Sequence, residues 1–150
     1  MFSSLIFVRE YANKLFRNTK FPYPDGLVQL LTQPDDRVLF YPYHPCGYFL
    51  SHRLPASYHQ FYLPWTEAYI NEIPKAINVV RELENQQEKR FLVCISENDM
   101  IFQRYLWNRD FGKNLNRFLN EHCIRVQGAM PGTSIYLSPK LFSDLKKEKQ

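Results

Sequence analysis

The sequence predicts an α/β fold: a small layered sandwich whose central, at least partly parallel sheet of about 4–5 strands is flanked by helices. Two observations predict it. Short, continuous apolar runs at 38–43 and 90–95 are typical of strands buried on both faces of a sheet. Stretches with apolar residues at spacings of three and four alternate with these runs, as expected for helices that cover the sheet.

Length and composition are those of one ordinary domain. The 150 residues suffice to bury a core, and 45% hydrophobic with 23% charged residues is typical of a globular chain. The net charge of +4 is modest, and its one basic cluster, at 140–149, is interrupted by acids. Such a cluster is typical of a solvated helix face. We therefore predict a single domain over 1–150 that does not bind nucleic acid.

The first twenty residues predict a leading amphipathic helix. The opening FSSLIFV is too short to cross a bilayer and lacks the basic front and cleavage site of a signal peptide. Two interpretations stay open. In the first, the chain is a piece of a longer, membrane-embedded protein, and residues 1–20 are membrane-proximal. In the second, the helix over 4–17 docks on the domain. Its apolar stripe then consists of Phe2, Leu5, Ile6, Leu15 and Phe16.

The first half of the remaining chain predicts a helix, a strand and a second strand. Asp25 is the expected N-cap of a short helix over 26–32, which Pro34 ends. After the strand at 38–43, residues 48–51 predict a helical turn or a short extension. Alternating side chains then predict a second strand at 57–63.

The second half continues the alternation. A long helical stretch over 66–83 is interrupted by Pro74, and Cys94 is expected to be a small buried hydrophobe in the strand at 90–95. Asp110 is the expected N-cap of a helix with an apolar stripe, and Gly132 the expected positive-φ position of a turn between two strands. The stripe is Phe111, Leu115, Phe118 and Leu119, the strands are 124–127 and 134–138, and the tail from 139 is weakly helical.

Histidine and cysteine suggest two kinds of chemistry, and their spacing supports neither. Imidazole and thiolate are common zinc and copper ligands, yet the spacings match no standard metal motif. A Cys–His nucleophile pair would use Cys46, or Cys123 directly after His122, and no oxyanion loop accompanies either. We predict no metal, no cofactor and no catalytic residue. The side chains that could act as metal ligands are those of His44, Cys46, His52 and His59.

Phosphate loops and paired carboxylates give no stronger prediction. The chain contains no GxGxxG and no Walker sequence. Asp35 and Asp36 lie in a predicted turn, whereas Glu97 and Asp99 follow a strand, where ligands of α/β sheets often bind. Loop acids that solvate and cap are the favoured interpretation of both pairs.

Three segments carry a resemblance to a known family. They are DRVLF at 36–40, PCGYFLSHRLPAS at 45–57 and FYLP at 61–64. In this order they resemble the extramembrane C-terminal domain of polytopic GT-C-type glycosyltransferases, the dolichyl-phosphate-mannose-protein mannosyltransferase and aminoarabinose transferase relatives, which use polyprenyl-phosphate sugars. Two departures stand out: the stretch 41–43 replaces a glycine-containing one, and 58–59 replaces a usually basic position.

The resemblance implies a soluble domain that is not catalytic by itself. The catalytic acid of that family lies in the first extracytoplasmic loop, between membrane helices that this chain does not contain. The domain would cover or shape the active site of a membrane glycosyltransferase at the extracytoplasmic membrane surface. Its implied partners are the membrane-embedded part of its own parent protein and a lipid-linked sugar or acceptor.

Tyr48, Ser51 and Arg53 are the candidate ligand-binding residues under this resemblance. They place two hydroxyls and a guanidinium on a turn fixed by Pro45 and Pro55. An arginine of this kind suits a phosphate or carboxylate of a lipid-linked donor or acceptor. The equally weighted alternative is that Arg53 pairs with a local acid and caps the sheet edge.

Two other classes of protein compete with this function. One is a free-standing soluble α/β module that binds a protein or a small ligand. The other is a metal-dependent hydrolase that uses His44, His52 and His59. About eight or more apolar spans of about twenty residues, encoded upstream in the same frame, would favour the membrane enzyme. Bound metal after purification would favour the hydrolase.

Overall fold

The computed structural model describes residues 24–41, 44–57, 79–96, 110–130 and 132–148. Within these ranges a five-stranded sheet has the order β2-β1-β3-β5-β4. The elements are α1 (Pro24–Leu31), β1 (Arg37–Tyr41), α2 (Pro45–Ser51), β2 (Leu54–Pro55), α3 (Val79–Glu84), β3 (Phe91–Ser96), α4 (Asp110–His122), β4 (Ile124–Met130), β5 (Thr133–Leu137) and α5 (Pro139–Lys147).

The sheet is mixed. Strand β1 pairs in parallel with β2 on one side and with β3 on the other. Strand β5 pairs antiparallel with both β3 and β4. The predicted α/β sandwich with a partly parallel sheet is therefore confirmed, with the parallel pairs at one end and a hairpin at the other.

Both faces of the sheet are buried, which explains the continuous apolar runs. Successive side chains of a strand point to opposite faces. In β1, Val38 and Phe40 join one core cluster, while Leu39 and Tyr41 join the other. The first cluster includes side chains of α1, α2 and α5, and the second includes side chains of α3 and α4. The helices thus form two layers, one on each face, as a strand buried on both sides requires.

Ser138 joins the sheet to α5. Its Oγ accepts hydrogen bonds from the N–H of Phe91, at 3.1 Å, and from the N–H of Leu141, at 3.2 Å. The first bond satisfies the start of β3, and the second caps the first turn of α5. The predicted strand at 134–138 therefore ends one residue early, at Leu137, because Ser138 caps the helix.

The predicted start of the first described helix is wrong. Asp25 lies inside α1, which begins at Pro24, so Asp25 is not its N-cap. Proline is favourable in the first helical turn because its fixed φ suits the helix and the missing N–H would have no partner there. The same chemistry extends α2 back to Pro45, beyond the turn predicted at 48–51.

Strand β2 was not predicted from the sequence. Strand β2 consists of Leu54–Pro55, paired with Arg37 and Val38, and Ser57 is a buried residue after it. Ser57, the first residue of the strand predicted at 57–63, is therefore not in a strand, and 58–63 lie outside the described residues. The position of β2 depends on its pairing with β1, and the periodicity of a single sequence does not show which strands pair.

Several other predictions are confirmed in the described ranges. Cys94 is buried, Gly132 has a φ of 72°, and the tail from 139 is helical. The helix predicted after Asp110 is α4, on which Leu115, Phe118 and Leu119 are buried. It already includes Asp110, so the prediction of Asp110 as its N-cap is wrong. Strand β4 runs to Met130, past the predicted end at 127, with an irregular register between Val126 and Met130. The leading helix, Pro74 and most of the 66–83 stretch lie outside the described residues.

Candidate functional site

Helix α2 approaches β1 closely enough to require glycine at position 47. A Cβ on Gly47 would overlap the His44 ring and lie 2.9 Å from Phe40 Cε2. Both contacts are so short that any residue with a Cβ would force the neighbouring side chains to move. Gly47 therefore lets the helix lie against the strand, which places the next residue, Tyr48, over the edge of β1.

Tyr48 completes the hydrogen bonding of β1 where β2 stops. Strand β2 reaches only as far as the Ala56 N–H, which donates to the Val38 carbonyl at 2.8 Å. The Phe40 N–H donates instead to the Tyr48 hydroxyl, at 3.1 Å, and the two rings meet edge to face at 5.0 Å. Tyr48 is 8% exposed, so this first candidate ligand-binding residue is a buried partner of the backbone.

Burial also sets the acidity of Tyr48. It raises the pKa of the phenol from 10.0 to about 12, because the phenolate would lose its hydration. The hydrogen bond from Phe40 lowers that pKa, and Cys94 raises it, each by less than burial. Tyr48 is therefore a neutral hydroxyl at ordinary pH.

Ser51 is enclosed in α2. Its side chain has no solvent exposure, and its Oγ donates to the Gly47 carbonyl at 2.6 Å, one helical turn back. Such a bond satisfies a buried hydroxyl locally. The second candidate ligand-binding residue therefore stabilises the helix that carries it.

Arg53 ties the C-terminal ends of α1 and α2 together. Its Nε donates to Thr32 Oγ1 at 2.9 Å, and its Nη2 donates to the carbonyls of Thr32 and Gln29 at 2.8 and 3.3 Å. Its Nη1 donates to the carbonyls of Ser51 and His52 at 3.0 and 3.1 Å. The last carbonyls of a helix lack intrahelical donors, so the guanidinium satisfies two helix ends at once.

These contacts bear on both alternatives for Arg53. Its five contacts match the five N–H donors of a guanidinium, so a phosphate or carboxylate would have to replace existing acceptors. The partners that the structure describes for it are carbonyls and a hydroxyl, not an acid. Ligand binding by Tyr48, Ser51 and Arg53 stays a prediction, and the contacts give each of them a structural role. We call this arrangement of Gly47, Tyr48, Ser51 and Arg53 the α2 corner.

The histidines and cysteines near the α2 corner are not gathered into a metal site. His44 packs its ring edge to face on Phe40, and His52 ends α2 with a φ of 53°. Cys46 is exposed. Across the described ranges, no three His, Cys, Asp or Glu side chains are placed to hold a metal ion. His59 lies outside them.

The His122–Cys123 pair has the wrong environment for a nucleophile. The His122 ring packs on Phe118 with 5.1 Å between centroids. Burial raises the pKa of the Cys123 thiol from 9.0 to about 12. A reactive cysteine needs a lowered pKa, so this environment opposes thiolate formation.

Asp36 forms a partly buried ion pair with Arg90 at the starts of the neighbouring strands β1 and β3. It accepts from Arg90 Nε and Nη2 at 2.8 and 3.0 Å and from the Gln33 N–H at 2.7 Å. Arg90 Nη1 also donates to Asp144, at 3.1 Å, and that carboxylate accepts from Lys140 at 3.1 Å. The hydrogen bond that Arg90 donates to Asp36 is the largest cause that raises the pKa of Arg90. The expectation that loop acids cap local structure is met by Asp36, whereas Glu97 and Asp99 lie outside the described residues.

An open groove of about 1030 Å³ lies beside this ion pair, at the amino ends of β1 and β3. Ligands of α/β sheets usually bind at the opposite, carboxyl ends of the strands. Cations and acids alternate around the groove, so its charge favours no class of ligand. The charged side chains that line it are Asp35, Asp36, Arg37, Glu88, Lys89, Arg90 and Lys140.

The outer side of α2 is an exposed apolar surface that the sequence predictions missed. Phe49 is 79% exposed and Leu50 50% exposed, although both belong to a helix whose inner side is packed on the core. Two features of the sequence would have indicated it. No charged residue occurs between Arg37 and Arg53, and Cys46, Phe49 and Leu50 follow helical spacing.

Comparisons of the chain with protein-family models, curated proteins and solved structures find no match. The resemblance to GT-C-type glycosyltransferases, which covers most of the chain from about residue 21, therefore stays a prediction from the sequence pattern. None of the helices in the described ranges has the length and hydropathy needed to cross a bilayer.

Proposed function

We propose that this chain is a non-catalytic domain of a membrane glycosyltransferase that uses a lipid-linked sugar donor. The domain covers or shapes the active site at the extracytoplasmic membrane surface, and the catalytic acid belongs to another part of the parent protein. Its partners are that membrane-embedded part and the lipid-linked sugar or acceptor near it.

The α2 corner is the observation that supports this proposal. The segment with the strongest resemblance, 45–57, contains α2 and β2 and forms one compact junction with α1 and β1. Tyr48 and Arg53, which are part of the pattern, contact the backbone of β1 and the ends of both helices. A pattern made of such contacts specifies a scaffold, which is what a shared non-catalytic domain requires.

The size and location of the natural protein test the proposal. An antibody raised against this chain should detect, in cells that express it naturally, a membrane-bound product much larger than 18.0 kDa. Protease added to the extracytoplasmic side should remove the epitope. An 18.0 kDa product in the aqueous fraction would overturn the proposal and favour the free-standing binding module.

The parent enzyme gives a second test. Replacing Arg53 by alanine in the parent should lower glycosyl transfer together with the amount of folded domain, because the corner loses its ties. Lysine at the same position retains the charge and loses the planar fork, so it should restore little. Transfer that falls while the folded domain is unchanged would instead indicate a direct contact of Arg53 with substrate.

A further inference from the structure

The outer side of α2 presents large apolar side chains to solvent. Cys46, Phe49 and Leu50 fall at positions i, i+3 and i+4, so they share one side of the helix, which we call the α2 face. All three are exposed. An exposed phenylalanine beside an exposed leucine forms an apolar patch, and such patches on a protein surface often mark a contact surface.

One further leucine extends the apolar surface. Leu30 of α1 is 41% exposed and lies next to Gln29, whose Nε2 donates to the Leu50 carbonyl at 3.2 Å. The α2 face is thus continued towards α1.

Cations lie on the same helix layer, at the end of α5. Helix α5 belongs to the same core cluster as α1 and α2, and Gln33, just after α1, donates through Nε2 to Glu148, just after α5, at 3.3 Å. The last turn of α5 therefore lies near the end of α1, and it carries the exposed Lys146 and Lys147. An uncharged apolar face beside cations is complementary to a bilayer with anionic headgroups.

We propose that the α2 face docks on the surface of an anionic lipid bilayer. Phe49 and Leu50 enter the interfacial region, while Lys146 and Lys147 of α5 lie near the headgroups. The proposal deepens the proposed function and rests on it for the membrane that the domain meets. It names the bilayer surface itself as the partner of the α2 face.

The extent of the surface favours lipid over a protein partner. A stable protein interface uses about 20–30 residues on each side. Interfacial insertion needs only a few apolar side chains that reach about 5–10 Å into the headgroup boundary. The large apolar residues that are exposed in the described part of this layer, Leu30, Phe49 and Leu50, fit the second case, and the α2 corner holds the helix against β1.

Cys46 makes the proposal directly testable. It is the exposed cysteine, whereas Cys94 is buried and Cys123 is partly buried. An environment-sensitive fluorophore attached to Cys46 in a Cys123→Ala background reports insertion of the α2 face itself. With vesicles of phosphatidylcholine mixed with phosphatidylglycerol, we expect a blue shift of emission and co-sedimentation, both weaker with phosphatidylcholine alone.

Paired variants separate the apolar and the electrostatic parts. Phe49→Ser with Leu50→Ser should weaken co-sedimentation of the unlabelled chain about tenfold or more, with an unchanged circular dichroism spectrum. Lys146→Gln with Lys147→Gln should weaken it by up to about fivefold per lysine, and only for anionic vesicles. Lys113→Gln with Arg117→Gln makes the same charge change on α4, in the other layer, and should leave binding unchanged.

Three results would overturn the proposal. The first is no vesicle binding, and the second is equal binding by the Phe49→Ser, Leu50→Ser variant. The third is co-sedimentation without a shift at Cys46, as expected if only residues 1–20 bind lipid. Cys46 protected from maleimide in native membranes, although the isolated chain ignores vesicles, would assign the face to a protein partner. Each leaves the mass and location of the parent protein, which test the proposed function, unaffected.

Discussion

Tyr48 acts as a substitute strand for β1. Beyond Val38 the edge of β1 has no neighbouring strand in the described ranges, and the Tyr48 hydroxyl accepts the Phe40 N–H. Tyr48→Phe leaves this buried donor without a partner, so we expect the free energy of unfolding to fall by about 1–3 kcal/mol. Urea denaturation measures the change, and equal midpoints with equal slopes would show that the bond contributes nothing.

His52 and Gly132 both have a positive φ, but only Gly132 is of the residue type that adopts this conformation without strain. His52 ends α2 with a φ of 53°, and Gly132 turns the β4–β5 hairpin with a φ of 72°. His52→Gly removes backbone strain and should raise stability by up to about 1 kcal/mol, since glycine adopts this conformation without cost. Gly132→Ala is the matched reverse change and should lower stability by about 1 kcal/mol. Thermal melts that move in the same direction for both would contradict this account.

At the scale of secondary-structure elements, pattern and pairing decided different parts of the fold. The runs at β1 and β3 were predictable because both faces are buried, and α4 because its stripe follows helical spacing. The position of β2 was not predictable, since it depends on pairing between Leu54 and Arg37. The α2 corner was recognisable as a sequence pattern, but its contacts were not, because they join residues up to 24 positions apart.

The ion pair of Asp36 and Arg90 joins the starts of β1 and β3, and Asp144 extends it to α5. Arg90→Met removes the cation and leaves a buried carboxylate with only the Gln33 N–H, so we expect a loss of about 2–4 kcal/mol. Lys140→Met removes the exposed cation beside Asp144 and should cost less than about 1 kcal/mol. Chemical denaturation compares them, and similar losses would show that burial does not control the energy of this network.

At the scale of the whole molecule, the two helix layers have different surfaces. The layer of α1, α2 and α5 combines the apolar α2 face with lysines, and the layer of α3 and α4 carries mixed charges with no large exposed hydrophobic residue among its described side chains. The sheet between them therefore separates a side with an exposed apolar surface from a side whose described surface is polar and charged. The cores on the two sides of the sheet are built alike, because β1 and β3 carry buried side chains on both faces.

The same two-sided burial limits the stability of the molecule at high pH. Burial raises the pKa of Tyr48, in the first core cluster, and of Cys123, packed on the second, to about 12 in each case. Their unfolded pKa values are 10.0 and 9.0, so above these values the unfolded chain holds fewer protons than the folded chain. The contribution of these two neutral groups to stability is therefore fully present below about pH 9 and is lost as the pH rises towards 12.

Two variants isolate these contributions from the titration of other groups. For Tyr48 the loss reaches about 3 kcal/mol once both states are ionised, since one pKa unit corresponds to about 1.4 kcal/mol. Urea midpoints measured from about pH 8 to about pH 11 should fall less steeply for Tyr48→Phe and for Cys123→Ala than for the parent chain. The Tyr48→Phe curve should depart from that of the parent above about pH 10, and the Cys123→Ala curve already above about pH 9. Parallel curves for all three chains would mean that neither group is buried in its neutral form, and would contradict the packing of α2 against β1.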